Sequence, residues 1–140
     1  MKVFRRLYRT FGLVHHAFLR LPGLLAPMVN STNFIQYINE LMASQGRTET
    51  RRMFGGHGLY CNGLFVGILD DDVLYLKADE QSAPTFEAAG CARFTYLRAG
   101  KPATLFFYSA PESALESPEG LRPWAQLSLQ AALRAANPGN

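Results

Sequence analysis

The stretch RRMFGGHGLYCNGLFVGIL, residues 51–69, decides the fold of this 140-residue chain. Within it, Asn62-Gly63 lies between two apolar runs. This dipeptide tolerates positive φ at both positions, as a two-residue type I′ hairpin turn requires. We therefore predict that residues 59–61 and 64–69 form paired antiparallel strands.

Three glycines precede this hairpin: Gly55, Gly56 and Gly58. We interpret them as a bend or bulge that breaks the preceding strand and lets backbone pass where a Cβ atom would clash. A phosphate-binding loop would need G-x-x-x-x-G-K-[ST] or G-x-G-x-x-G ahead of a helix, whereas a strand follows here.

Working outward, alternating and helical patterns predict an antiparallel meander flanked by helices. Asp70-Asp71-Asp72 is interpreted as a solvated turn between two strands. The second helix begins at Asp79 or, because of Pro84, at Ser82. The first helix is capped at 31–33 and ended by Gly46, and the first strand follows over 48–54. Two later strands, over 94–96 and 104–108, are joined across 99–102. The last helix starts at Ser117-Pro118 and buries a face from Leu121 to Ala135.

The composition indicates one domain with a real core, since 48% of the residues are hydrophobic and 18% are charged. Cys61 and Cys91 are too few for a disulfide framework and are interpreted as reduced thiols. They also lack the spacing of a zinc site. His57 and Cys61 would lie roughly 13 Å apart along a straight strand, too far for a catalytic dyad. We predict no metal, no cofactor and no catalytic residue.

Charge divides the chain near residue 30. The net charge is +3, yet residues 1–30 hold five basic residues and no acidic one, so residues 31–140 carry −2. We expect residues 31–140 alone not to bind duplex DNA specifically, because duplex-binding domains normally present a basic face to phosphates.

Residues 1–30 form a basic, apolar extension with Phe4, Leu7, Phe11, Val14 and Phe18 at helical spacing. Three interpretations stay open: a loosely attached extension, a start assigned upstream of Met28, and a membrane-surface or targeting segment. The apolar run is too short to span a membrane. Residues 31–136 are predicted to form the domain, and residues 137–140 a disordered end.

Several motifs in order resemble the N-terminal domain of the TfoX (Sxy) family, regulators of natural competence. They are RRMFGGHGLY (51–60), LYLKADE (74–80), FEAAG (86–90), FTY (94–96), GKP (100–102), Tyr108 and Pro111-Glu112. The resemblance implies a two-layer α+β domain, an antiparallel sheet packed against helices. Full-length family activators carry a second, helical C-terminal domain, and this chain ends before it.

The resemblance also implies a non-enzymatic, cytoplasmic regulator that acts through a protein partner such as the cyclic-AMP receptor protein. The predicted partner-binding residues surround the glycines: Arg51, Arg52, Phe54, His57 and Lys77. The opposing hypothesis is a small-ligand-binding protein or minor enzyme that keeps only the fold. Whether the chain forms a homodimer stays an open question at this point.

Overall fold

The computed structural model describes residues 30–53 and 55–138. These residues form six strands, three α-helices and two short 3-10 helices. In chain order they are α1 (Thr32–Met42), a 3-10 helix (Ala43–Gln45), β1 (Thr48–Met53), β2 (Gly56–Cys61), β3 (Leu64–Asp70), β4 (Val73–Lys77), α2 (Ala83–Ala88), β5 (Arg93–Arg98), β6 (Lys101–Ser109), a 3-10 helix (Glu112–Glu116) and α3 (Pro118–Ala136).

One antiparallel sheet joins all six described strands in the order β1-β2-β3-β4-β6-β5. The first four strands follow one another as the predicted meander. Strand β6 then pairs with β4, and β5 takes the outer edge. The α+β class is confirmed, with β2, β3, β4 and β6 inside the sheet and β1 and β5 at its edges.

Two-residue turns with positive φ close the hairpins. Asn62 and Gly63 have φ of 52° and 81° between paired β2 and β3, so the predicted hairpin is confirmed. Ala99 and Gly100 have φ of 52° and 80° between β5 and β6. The predicted loop over 99–102 therefore shrinks to two residues, and Pro102 lies inside β6.

The prediction that all three glycines break a strand is wrong for two of them. Gly55 lies in the turn after β1 with φ of 81°, whereas Gly56 and Gly58 lie within β2. A Cβ atom on Gly58 would lie 2.5 Å from the sulfur of Met53, and one on Gly56 would clash with the carbonyl oxygen of Leu69. These two glycines allow the close approach of neighbours without ending the strand.

Helix α1 packs on the sheet as its apolar stripe predicts. The Ser31 hydroxyl caps it by accepting from the Phe34 N–H at 3.1 Å. The buried side chains on its inner face are Phe34, Ile38, Leu41 and Met42. They join the main core with Leu59, Val66, Leu74 and Leu76 of the sheet.

Helix α3 packs against the same face of the sheet and contacts β3, β4 and α1. The Ser117 hydroxyl accepts from the Gly120 N–H at 3.0 Å, so the predicted start is confirmed. The buried face ends earlier than predicted, at Ala131 and Ala132. Ala135 is exposed, and the neighbouring Arg134 pairs with Asp79 in the loop between β4 and α2.

Of the two predicted starts for α2, Ser82 is correct. Asp79 lies ahead of the helix, where its carboxylate accepts from the N–H groups of Gln81 and Ser82, both at 3.1 Å. Phe86 of this helix stacks on Tyr108, which closes the main core beside β6. Gly90 follows with φ of 77°, as predicted for a residue after a helix end.

The interpretation of Asp70-Asp71-Asp72 as a solvated turn is wrong. Asp71 and Asp72 are each only 6% exposed. The chain entering α1 covers them: the Ser31 N–H donates to the Asp72 carboxylate at 2.7 Å, and the Asp72 N–H donates to the Asn30 side-chain oxygen at 2.9 Å. Asn30 is itself buried and donates to the Leu69 carbonyl. The rest of the predicted extension, residues 1–29, lies outside the described residues.

Candidate functional site

The alternation of side chains along β1 separates two of the predicted partner-binding residues. Arg51 lies opposite Gly58 and Arg52 opposite His57, so their side chains leave opposite faces of the sheet. The Arg51 guanidinium lies 4.4 Å from the centre of the Tyr60 ring and pairs with Glu49 at 2.9 Å. Arg52 lies on the helix-bearing face, beside His57.

Lys77 shares the Arg51 face. Its ammonium lies 5.3 Å from the centre of the Phe107 ring and 6.0 Å from that of Phe65. The structure therefore brings Arg51 and Lys77 to one face and leaves His57 and Arg52 on the other. Phe54 lies outside the described residues.

Arg51 and Lys77 border an apolar surface that we call the aromatic face, the side of the sheet opposite α1 and α3. Every member comes from a strand, and no helix of the described chain packs on it. Its apolar residues are Tyr60, Phe65, Ile68, Tyr75, Phe94, Tyr96, Leu105 and Phe107. Ile68, Phe94 and Phe107 are buried by their neighbours, while the surrounding rings are half-buried.

The rings of the aromatic face pack against one another. Tyr60 stacks on Phe65 with ring centres 5.2 Å apart, and Phe94 stacks on Tyr96 at 6.0 Å. Tyr75 meets Phe94 edge to face at 4.9 Å. A stacked neighbour covers one face of each ring and so reduces the ring area that a partner from solvent can meet.

The charged residues of the aromatic face are mainly basic. Strand register places four cations on it, namely Arg51, Lys77, Arg98 and Lys101, and two anions, Glu49 and Asp70. This excess of positive charge contrasts with the net charge of −2 for residues 31–140 as a whole. The average charge of the domain therefore conceals a locally basic face.

Sequence reasoning missed the aromatic face, although its signal is present. Tyr75 and Lys77 on β4, and Phe94 and Tyr96 on β5, recur at spacing two on the side opposite the core residues Leu74 and Leu76. Strands with apolar residues on both faces indicate a sheet covered on both sides. The pattern could have predicted a second apolar surface.

On the opposite face, His57 is part of the junction that holds the chain ahead of α1. The Asn30 amide donates to His57 Nδ1 at 2.8 Å, an arrangement that requires this nitrogen to carry no proton. Burial, and then the charge of Arg52, lower the pKa of His57. His57 is therefore neutral at pH 7 and serves as a hydrogen-bond acceptor in the junction.

The same junction contains Asp71, whose pKa is raised to about 7 by burial and by the neighbouring Asp72. Cys61, at the other end of β2, is fully buried in the main core, and burial raises the pKa of its thiol. A buried thiol in apolar surroundings is inert. Within residues 30–53 and 55–138, no three His, Cys, Asp or Glu side chains are grouped so that they could hold a metal ion.

In the described part of the chain, no α-helix has the length and apolar character that crossing a membrane would need.

Comparison with known proteins assigns the sequence to a family. Residues 40–132 match the TfoX N-terminal domain. Protein Sxy of Escherichia coli (strain K12) is 32% identical over 101 residues, which are 72% of this chain and 48% of that protein. DNA transformation protein TfoX1 of Aliivibrio fischeri (strain ATCC 700601 / ES114) is 27% identical over 97 residues, 69% of this chain and 44% of that protein. The chain spans about half the length of these curated relatives.

Proposed function

The chain belongs to the TfoX N-terminal domain family, and from this premise we propose that it is a non-enzymatic regulatory module that docks on a protein partner. One of its relatives is named a DNA transformation protein. We further propose that the module acts in the cytoplasm on the transcription of competence or DNA-uptake genes.

The observation that carries this proposal is the aromatic face. Monomeric proteins rarely leave a broad apolar surface uncovered, and such a surface with a polar rim is typical of a protein-docking site. Aromatic residues and arginine are also the residues most enriched at interfaces. The docking site we propose is the aromatic face with Arg51 and Lys77.

The proposed partner is part of the transcription machinery, such as the cyclic-AMP receptor protein. A module that docks on a DNA-bound protein needs no sequence readout of its own. In agreement, the described elements include no recognition helix next to the basic residues of the aromatic face, which lie on strands.

Deletion and complementation in the native host test the proposal. Transcripts of competence genes are measured in the deletion strain and after return of the wild-type chain, Lys77→Glu or Arg52→Glu. We expect the deletion to lower the transcripts, and the wild type and Arg52→Glu to restore them. Lys77→Glu should fail to restore them at equal protein abundance.

Arg52→Glu is the matched control because it makes the same charge reversal on the opposite face of the sheet. Unchanged transcripts in the deletion strain would refute the regulatory role. Full rescue by Lys77→Glu would exclude the aromatic face as the docking site. Co-purification of wild-type chain with cyclic-AMP receptor protein, compared with Lys77→Glu, tests the named partner.

A further inference from the structure

We infer that the aromatic face binds an acidic amphipathic helix of its partner protein. This inference rests on the proposed function, since it specifies the chemistry of the element that docks. It is carried by three observations: the hydrogen bonding of the inner strands, the spread of cations across the sheet, and the packing of the rings.

The first observation excludes strand addition at the centre of the aromatic face. Strands β3, β4 and β6 each have a hydrogen-bonded neighbour on both sides, so their backbone groups are already paired. An occupant above them must bind through side chains and must satisfy its own backbone groups. A helix does both, and a helix on the second face of a sheet gives a common layered architecture.

The second observation concerns charge. Arg51 lies on the edge strand β1, Lys77 on the inner strand β4, and Arg98 on the other edge strand β5. A helix lying diagonally across the sheet would meet Arg51 near one end, Lys77 near its middle and Arg98 near the other end, because the register places Arg51 level with Ser109 and Arg98 level with Lys101. Five strand spacings of about 4.8 Å and an offset of about 26 Å along the strands give a path of roughly 35 Å, which corresponds to about 24 helical residues. Acidic side chains beside an apolar stripe complement this path.

The third observation argues against single-stranded nucleic acid. Nucleobases bind such platforms by stacking on free ring faces. Here the stacked pairs Tyr60–Phe65 and Phe94–Tyr96 cover ring faces, and Arg51 lies over Tyr60. Less ring area is therefore left for bases to stack on, whereas the aliphatic side chains of a helix need no free ring face.

Charge also argues against two occupants from this chain itself. Residues 1–29 hold five basic residues and no acidic one, so they would be repelled by the excess cations of the face. A second copy docked face to face would likewise bring cations against cations. An acidic partner is the occupant with the complementary sign.

The test uses the full chain and a fluorescein-labelled synthetic helix of about 24 residues with leucines on one side and glutamates on the other. A second peptide carries lysines in place of the glutamates. Anisotropy at low salt should show binding of the glutamate peptide only. Lys77→Glu should weaken it about tenfold or more, whereas Arg52→Glu should leave it unchanged. Amide NMR shifts should follow β3, β4 and β6 rather than α1 and α3.

Several outcomes would overturn the inference. These are no binding of the glutamate peptide, equal binding of the lysine peptide, or equal loss with Arg52→Glu. Binding of an oligothymidylate that Lys77→Glu abolishes would assign the face to nucleic acid. Dimers in sedimentation equilibrium that Lys77→Glu dissociates would assign it to a second copy. The transcript assay is independent of these results. If the peptide test fails and the regulatory response is intact, only the inference of an acidic helix is refuted, and the proposed function stands.

Discussion

The buried β3–β4 turn makes the stability of the domain depend on pH. Burial and the neighbouring Asp72 raise the pKa of Asp71 from 3.8 to about 7. The folded state therefore holds a proton that the unfolded state has lost between pH 4 and 7. The contribution of Asp71 to stability is therefore most favourable below pH 4 and falls as the pH rises to 7. The difference of about 3 pKa units corresponds to about 4 kcal/mol, at about 1.4 kcal/mol per unit.

Asp71→Asn removes this charge and keeps the shape of the side chain. Asparagine also tolerates the φ of 57° at this position. We expect the substitution to raise the free energy of unfolding by several kcal/mol at pH 8 and to have little effect at pH 4, where the wild-type carboxyl is neutral in the folded state and only partly ionised in the unfolded state. Urea denaturation of both proteins across this range measures the difference.

The comparison at pH 4 is an internal control, because any general effect of the substitution on the turn persists there. A stability difference that is the same at pH 4 and pH 8 would refute the argument from burial. A loss of stability at pH 8 would show that the Asp71 carboxylate is stabilised as an anion in the folded protein.

Four further predictions concern the turn, an ion pair, the extension and DNA. Gly63→Val should lower the free energy of unfolding by about 1–2 kcal/mol through the φ of 81° alone, since nothing lies within 4 Å of the added Cβ, and Gly63→Asn should lower it less. Equal denaturation midpoints of the wild type and Gly63→Val would contradict this. Arg134 lowers the pKa of Asp79, so Asp79→Asn should lower the Tm by a few degrees at pH 7. This effect should be lost as the pH falls below 3.8 and through the lowered folded-state pKa, and a constant difference would contradict the ion pair. A chain starting at Met28 keeps Asn30 and should unfold within a few degrees of the full chain; a larger loss would show that residues 1–27 pack on the core. Residues 31–140 should bind a competence-promoter duplex no better than a scrambled one in anisotropy, and binding by the full chain should weaken steeply with salt; selective binding by the short chain would contradict the partner-only role.

The parts of the fold that were predicted correctly depend on neighbours in sequence. Asn62-Gly63 determines its turn because both residues tolerate positive φ. Ser117-Pro118 determines a helix start because the Ser117 hydroxyl accepts a hydrogen bond from the N–H of Gly120. Such signals act within a few residues and need no knowledge of the remaining chain. They sufficed for the order of strands along the chain and for the α+β class.

The wrong predictions involve contacts between distant parts of the chain. Asp72 is buried because Asn30 and Ser31, more than 40 residues earlier, hydrogen-bond to its turn. Three consecutive aspartates have the composition of an exposed loop. The turn is buried only because the residues ahead of α1 pack on it. Gly56 and Gly58 remain in a strand because of Leu69 and Met53, which the local pattern does not place beside them.

The candidate site was predicted only in part because the residues were grouped by their position in sequence. Arg51 and Arg52 are adjacent in the chain, yet a strand sends them to opposite faces. Lys77 is far along the chain, yet it lies on the aromatic face with Arg51. In a sheet protein a surface is defined by the alternation of residues within strands and by the register between them. A charge reversal at Lys77 and one at Arg52 therefore test two different surfaces, and their comparison separates a docking defect from a general effect of charge.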